Sequence, residues 1–333
     1  MKRSQVQMRT SVVAIIAFVA VVAMLVDIGL SAHSPDRRTR SWSSDKSFVS
    51  DMPQPSTQKD DDAELAERLR TLCDRAGGAV GVAVLHVETG RIVAIEGTRQ
   101  LPLYSVFKLP LAISVLKEVE ENRLRLDQKV RITPAEVAPG GQGNSDLWRQ
   151  PVERSVRELL ELSIVRSDNT SSDKLLQLVG GPAVVTQRMR ALGLQSIDIR
   201  SSVRDFAEHR EHPNTGTASD LAHLLARLQQ GQILQPPQLT ILLGFMERAT
   251  TGVRRLRGDL PAGTPVADKT GTGKAGSATN DVGLITLPNG RGHLAMVVLL
   301  SGSKLPAEAQ EKIIAQLARV AYDAHISGLK GSA

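Results

Sequence analysis

The chain has 333 residues, of which 41% are apolar, and it carries one cysteine and a formal net charge of +6. One thiol excludes an intrachain disulfide scaffold, and the ordinary apolar fraction excludes disorder along the whole chain. The positive charge is diffuse and lacks the interleaved aromatic residues of a base-stacking surface, so no nucleic-acid partner is expected.

The first residues have the layout of an export signal. Lys2, Arg3 and Arg9 precede residues 12–26, an apolar run without a charged side chain. The run is near the upper limit for a signal-peptide core and shorter than the roughly 20 residues that span a bilayer. We therefore predict that residues 1–32 are a cleaved signal or an N-terminal anchor, and that the protein is exported to the periplasm, with a possible tether to the inner membrane.

The rest of the chain divides into a tether and one folded domain. Residues 33–62 are rich in Ser, Asp, Arg and Pro with few apolar residues, which predicts a disordered tether. The domain is predicted at residues 63–328, with β-hairpins at 79–96 and 282–300. Helical patterns lie between and after the hairpins, at residues 109–119, 156–164, 172–179, 183–192, 220–229, 237–249 and 306–325. Strands at both ends with helices between them predict an α/β fold, in which an antiparallel sheet lies beside a lobe of helices.

Three short motifs carry the chemistry. Ser105 and Lys108 form S-x-x-K before an apolar helix, and a helix places both side chains on one face. A lysine takes the proton of a serine hydroxyl when burial or nearby cations lower its pKa. S-x-x-K occurs seven times in the chain, so it does not identify Ser105 by itself. The S-D-N motif that begins at Ser167 and the K-T-G motif that begins at Lys269 each occur once and follow in this order.

At these motifs the sequence resembles the class A β-lactamases and the related penicillin-binding D,D-peptidases. The resemblance extends from about Ala63 to about His325 and includes the connecting text of residues 167–182 and 251–273. It implies the fold of the serine penicillin-recognising enzymes, an antiparallel sheet flanked by helices together with an all-helical lobe. It also implies acylation of a serine by a β-lactam.

The resemblance assigns catalytic roles residue by residue. Ser105 would be the acylated nucleophile and Lys108 its proton partner. Ser167 would relay a proton to the leaving nitrogen, and Asn169 would hydrogen-bond the amide of the substrate and Lys108. Asp168 is expected to be structural.

Substrate binding is assigned in the same way to Lys269, Thr270, Gly271, Thr272 and Arg255. Lys269 and Thr270 would hold the substrate carboxylate, with Arg255 as a second cation. Gly271 would allow close approach of a strand edge to the substrate, because it has no Cβ. The backbone N–H groups of Ser105 and Thr272 would form the oxyanion hole.

The sequence departs from the family in the loop that supplies the deacylation base. The family uses a Glu in E-x-x-x-N between S-D-N and K-T-G. Counting from Gly193 places the Glu near Val203 and the Asn near Ala207. The acids that remain as substitutes are Asp205, Glu208 and Glu211, each of which is also an ordinary type of residue for a solvated loop.

Three functions follow as hypotheses. The first is a class A β-lactamase that contributes to antibiotic resistance, with its deacylation base undetermined. The second is a penicillin-binding D,D-peptidase acting on peptidoglycan stem peptides, and the third is a β-lactam sensor that is acylated once. We expect a small-molecule partner, a monomer, and no cofactor or metal.

Overall fold

The structure is a computed structural model that describes residues 58–140, 144–209 and 212–327. The predicted leader at residues 1–32, most of the predicted tether and Glu211 lie outside these ranges. The first helix begins at Gln58, ahead of the predicted domain start at Ala63. Acidic residues in its first turn favour this earlier start, because they complement the positive end of the helix dipole. Among the helices of the described residues, none combines the length and apolar character needed to cross a bilayer.

Helices hold more of the described residues than strands do. They are α1 Gln58–Ala76, α2 Lys108–Glu120, α3 Val156–Val165, α4 Asn169–Leu178, α5 Pro182–Ala191, α6 Val203–His209, α7 Ala218–Gln229, α8 Pro236–Glu247 and α9 Ala307–Ser327. Each predicted helix is present within a few residues of its expected ends, whereas α6 was not predicted.

The strands form one larger sheet and two short ribbons. They are β1 Ala79–His86, β2 Ile92–Ile95, β3 Leu101–Pro102, β4 Lys129–Ile132, β5 Val152–Ser155, β6 Thr215–Gly216, β7 Val266–Thr272, β8 Ala278–Thr286 and β9 His293–Ser301. The larger sheet has the order β2-β1-β9-β8-β7, and its paired strands are antiparallel. The ribbons pair β3 with β6 and β4 with β5.

Both predicted hairpins lie in this sheet, and distant parts of the chain close it. Strand β1 pairs with β9 in a register that places Val82 opposite Val298. The predicted α/β fold, an antiparallel sheet beside a helical lobe, is confirmed.

Each face of the sheet packs against a separate apolar core. Val82 and Val84 point to the side covered by α1 and α9, where they meet residues such as Leu69 and Leu317. Successive strand residues point to opposite faces, so Ala83 faces the helical lobe. Burial on both faces explains why the central strands read as nearly continuous apolar runs.

Two elements of this architecture position the site. Helix α2 is buried on nearly all sides within the lobe and begins at Lys108. Strand β7, which carries the K-T-G motif, is the last strand of the sheet and has one unpaired edge. Strand β7 packs against the turn that precedes α2, so residues of both segments line one cleft.

Candidate active site

A single turn of 3₁₀ helix over Tyr104–Phe107 presents Ser105 and leads directly into α2. The N–H of Lys108 donates to the carbonyl of Ser105, which joins the turn to the helix. Tyr104 has a φ of +46°, a left-handed conformation that costs energy for a residue with a Cβ. The turn is therefore held by its surroundings in the conformation that presents Ser105 to the cleft.

Strand β7 packs directly against this turn at Gly271. A Cβ on Gly271 would lie 2.3 Å from the carbonyl oxygen of Leu103, so no other residue fits without a shift of the backbone. The missing Cβ therefore makes room for the turn that carries Ser105. The close approach of Gly271 to a substrate stays a prediction.

Lys108 is fully buried and reaches from α2 to the start of α4. Its Nζ donates to the carbonyl oxygen of Ser167 at 2.6 Å, to Asn169 Oδ1 at 2.7 Å and to Ser167 Oγ at 3.3 Å. Burial lowers the pKa of Lys108 well below its ordinary value, and the charge of Lys269 lowers it further. Neutral lysine is a base, so the arrangement equips Lys108 to take up a proton.

Ser167 lies between two lysines. Lys269 Nζ donates to Ser167 Oγ at 3.0 Å, on the same hydroxyl that Lys108 contacts. Ser167 has a φ of +56°, and this left-handed conformation directs both its carbonyl and its hydroxyl to Lys108. The three side chains form a continuous path along which a proton can move.

The two residues after Ser167 are fixed by the N-terminus of α4. Asp168 Oδ1 accepts the N–H of Ser171 at 2.6 Å as the helix cap, and Oδ2 accepts Trp148 Nε1–H at 3.2 Å. Asp168 thus has the structural contacts expected from the sequence, and Trp148 is core rather than cleft. The amide of Asn169 donates to the carbonyl of Pro139 at 2.9 Å, which sets the orientation of its Oδ1 toward Lys108.

Lys269 is fully buried, and the carboxyl groups of Asp268 and Asp281 lie close enough to influence its charge. Burial lowers its pKa to about 8, opposed by the carboxyl groups of Asp268 and Asp281 and aided by the nearby Arg255 cation. Lys269 Nζ also donates to the carbonyl of Thr270 at 2.9 Å. Its cation is therefore held in place and retained at neutral pH, as binding of a substrate carboxylate requires.

The far end of β7 offers a backbone N–H to the cleft. The N–H of Gly273 donates to Ala278 on the neighbouring strand, at 2.9 Å. Backbone donors alternate in direction along an antiparallel pair, so the N–H of Thr272 points away from β8, toward the free edge. Thr272 and Ser105 line the same cleft. The predicted oxyanion hole needs one backbone donor from each of these residues, and the Thr272 N–H lies at the unpaired edge of β7.

Arg255 lies at the edge of the same cleft and is 6% exposed. Its guanidinium donates to Thr272 Oγ1 at 2.8 Å, to the carbonyl of Asn280 at 2.9 Å and to Glu311 Oε1 at 3.2 Å. The ion pair with Glu311 offsets part of its charge. Arg255 therefore fixes the end of β7 and adds positive potential beside Lys269.

The comparisons with known proteins agree with this geometry. A sequence model of the family described as "Beta-lactamase enzyme family" matches residues 64–325. The extended-spectrum β-lactamase PER-1 of Pseudomonas aeruginosa is 34% identical over 273 residues, which cover 80% of this chain and 88% of that relative. The chain belongs to the class A β-lactamase family.

Other relatives of this family lead to the same assignment. The β-lactamase VEB-1, also of Pseudomonas aeruginosa, is 29% identical over 79% of this chain and 91% of its own length. The crystal structure of a β-lactamase from Chitinophaga pinensis superposes with a TM-score of 0.75 at 35% identity and covers 78% of this chain and 99% of that chain. The protein is a serine hydrolase of the class A β-lactamase type.

The loop that supplies the base in class A β-lactamases has a different chemistry here. Val203, the first residue of α6, lines the same cavity as Ser105. Phe206 lines it as well, and Ala207 is exposed. The equivalence of Ala207 with the family Asn stays a prediction, because residues four apart share a helix face just as residues three apart do.

The acids considered as substitute bases do not line this cavity. Asp205 is exposed, and its Oδ2 accepts the hydroxyl of Ser202 at 2.7 Å at the start of α6. Glu208 is exposed, and Glu211 lies outside the described residues. None of the described residues that line the Val203 side of the cleft is a carboxylate.

Sequence reasoning missed two residues that shape this region. Asp173 is buried and accepts the N–H groups of Val203 and Arg204 at 2.7 and 3.0 Å, which anchors the start of α6. Phe206 contributes an aromatic ring to the cleft wall. The apolar Val203 and Phe206, three apart in an otherwise charged segment, were the available signal for one shared face.

Among the described residues no group of three or more His, Cys, Asp or Glu side chains is arranged to bind a metal.

Proposed function

We propose that this class A enzyme opens β-lactam rings by acylation of Ser105 and completes hydrolysis through a slow deacylation step. The observation that carries the proposal is the hydrogen-bonded path from Lys108 through Ser167 to Lys269 at the wall of the cleft that holds Ser105. Such a path supplies both a base for the nucleophile and an acid for the leaving nitrogen.

Acylation uses the S-x-x-K pair together with the hydrogen-bonded path from Lys108 through Ser167. The Ser105 hydroxyl adds to the lactam carbonyl carbon while its proton passes to neutral Lys108. The ring C–N bond then breaks, and the departing nitrogen takes the hydroxyl proton of Ser167. Ser167 recovers a proton from Lys108, whose Nζ lies 3.3 Å from its Oγ.

The negative charge that develops on the carbonyl oxygen is stabilised by hydrogen bonds from two backbone N–H groups. The N–H groups of Ser105 and Thr272 stabilise it, and loss of one such donor typically costs about 2.7–4 kcal/mol of transition-state stabilisation. We assign the substrate carboxylate to the hydroxyl of Thr270, which lines the cleft, and to the cation of Lys269, which is buried behind it next to Ser167. Arg255 adds positive potential nearby.

Deacylation lacks the loop carboxylate that serves as its base in class A β-lactamases, and Lys108 does not line the cavity next to α6. The polar residues beside Ser105 in this cavity are Tyr104, Asn169, Ser202, Asn214 and Thr272, and none of them takes up a proton at neutral pH. Without general-base assistance the rate of water attack falls by roughly 10²–10⁴. We therefore expect the acyl-enzyme to accumulate during turnover.

Covalent labelling tests the assignment of the nucleophile. Benzylpenicillin should add to the wild-type protein with a stoichiometry of one, and Ser105→Ala should remove the adduct. The matched control is Ser114→Ala, because Ser114 begins another S-x-x-K sequence, is buried within α2 and donates only to the carbonyl of Pro110 at 2.8 Å. A stable adduct on the Ser105→Ala protein would overturn the proposal.

A second candidate function is a penicillin-binding D,D-peptidase, and the apolar Val203 beside Ser105 favours it. The acylation machinery would be the same, with the terminal D-alanine of a stem peptide as leaving group. Release of D-alanine from a peptide ending in D-Ala-D-Ala, lost in Ser105→Ala, would establish this activity. Absence of release alongside β-lactam turnover would exclude it.

Export to the periplasm, with or without a retained membrane tether, remains part of the proposal. Its support is the sequence of residues 1–32, in which cations precede an apolar run. The N-terminal sequence of the protein recovered from the periplasmic fraction tests it. A mature start within or after residues 30–33 indicates cleavage, and an intact Met1 in the membrane fraction indicates an anchor.

A further inference from the structure

The cavity between Ser105 and α6 has a largely apolar wall. Tyr104 and Phe107 come from the turn of the nucleophile, Val203 and Phe206 from α6, and Pro213 from the segment after it. Among the described residues that line it there is no Asp, Glu, Lys or Arg. A cavity of this composition favours an uncharged apolar group over a polar one.

The size of the cavity matches one aromatic ring. Its volume is about 130 Å³. In another protein, an apolar cavity of about 150 Å³ stays dry and binds benzene. This cavity also opens onto Ser105, so a ring that occupies it can belong to a molecule bound at the nucleophile.

The walls are held in place before any ligand binds. The rings of Tyr104 and Phe206 meet edge to face with centroids 6.2 Å apart. Tyr104 Oη lies 3.3 Å from Ser277 Oγ, and a Cβ on Gly273 would come within 2.9 Å of the Tyr104 ring, so the glycine makes room for it. Asp173 anchors the other wall through the N–H of Val203 at 2.7 Å.

We propose that this cavity binds the apolar, preferably aryl, part of the acyl side chain of the substrate, in the space beside Ser105 where class A enzymes place a catalytic carboxylate. The inference rests on the proposed function and names the substrate class: β-lactams whose acyl group ends in an uncharged ring. The amide of Asn169 at the cavity rim is placed to bind the polar link between ring and lactam.

The same occupancy has a kinetic consequence. A ring that fills a cavity of about 130 Å³ leaves little space there for water. Aryl substrates should therefore acylate fast and deacylate slowest, whereas a β-lactam without an acyl side chain leaves the cavity open to solvent. This opposite ordering of the two half-reactions is specific to the proposed site.

The test compares three penicillins on the full chain by rapid-quench intact mass. The probes are 6-aminopenicillanic acid without an acyl group, benzylpenicillin with a phenyl ring, and carbenicillin with a carboxylate next to the ring. In the wild type, benzylpenicillin should acylate at least about 10-fold faster than either of the other two, the range expected for filling an apolar pocket.

Two variants change the cavity in opposite ways. Phe206→Ala enlarges it and Val203→Phe fills it, and both should lower the ratio of benzylpenicillin to 6-aminopenicillanic acid acylation by about 10-fold. If Phe206→Ala destabilises α6, Val203→Phe still tests the inference, because it fills the cavity without removing a side chain. A ratio that stays within about 2-fold of wild type in both variants overturns the inference while leaving acylation of Ser105 intact. Failure of all three penicillins to label the wild type overturns the proposed function instead.

Discussion

Substitution of Val203 by Glu should convert slow deacylation into efficient turnover. Val203 is half-buried, its side chain lines the cavity beside Ser105, and Asp173 fixes its backbone through a hydrogen bond of 2.7 Å. A carboxylate at this position would lie in partly apolar surroundings that raise its pKa, which suits a general base.

The magnitude follows from what the site still lacks. General-base assistance contributes about 10²–10⁴ to a rate, and we expect the lower end, about 10², because the segment has no E-x-x-x-N Asn to orient the water and the apolar Phe206 lines the cavity beside Val203. The loss of packing at a half-buried Val should reduce the free energy of unfolding by about 1 kcal/mol.

The assay is the decay of the benzylpenicillin adduct by intact mass after free ligand is removed. Val203→Gln is the matched control, since the Gln side chain has the same length as Glu and cannot act as a base. Equal adduct lifetimes in the Glu and Gln variants would show that the new carboxylate does not act as a base. An adduct that already disappears within seconds in the wild type would show that another group performs deacylation.

Four further predictions concern the two buried lysines, Ser167 and Asp281. The acylation rate constant should fall as the pH rises through about 8, where Lys269 loses its proton, and Lys269→Arg should move this alkaline limb upward in a stopped-flow pH profile. The acylation rate constant should also fall toward acid pH as Lys108 becomes protonated, since burial lowers the pKa of that lysine. An acylation rate that is independent of pH on the acid side would contradict the role of Lys108 as a base. Ser167→Ala should reduce acylation by about 10²–10⁴, measured by quench-flow, and an unchanged rate would remove it from the proton path. Burial and the adjacent Asp268 raise the pKa of Asp281, so the folded protein holds this proton more tightly than the unfolded chain does. The contribution of Asp281 to the free energy of unfolding is therefore lost as pH rises above about 4, and Asp281→Asn should flatten the pH dependence measured by urea unfolding. An unchanged pH dependence would show that the proton is held by another group.

Much of the fold could be read from local patterns. The two hairpins had alternating or continuous apolar runs with clear turn residues, and α2 and α9 had helical periodicity over many residues. The ribbons β3–β6 and β4–β5 could not be predicted, because strands of two to four residues carry too little periodicity. Helix α6 was also missed, since its segment is short and highly charged and is held by Asp173 from another helix.

The site was predictable in its motifs and not in its surroundings. Order and distance identified Ser105, Ser167 and Lys269, but the sequence did not reveal that Lys108 and Lys269 share the Ser167 hydroxyl. The sequence also did not reveal that the missing Cβ of Gly271 makes room for the backbone of Leu103. Long-range contacts of this kind depend on packing that no local pattern encodes.

The most direct test follows the mass of the full-length protein over time after mixing with excess benzylpenicillin, with free penicilloate measured in the same samples. We expect rapid formation of one adduct on Ser105 and product release that continues at a much lower rate than adduct formation. Product release as fast as acylation, with no adduct detectable at any time, would contradict slow deacylation and would mean that a group other than a loop carboxylate activates the water efficiently.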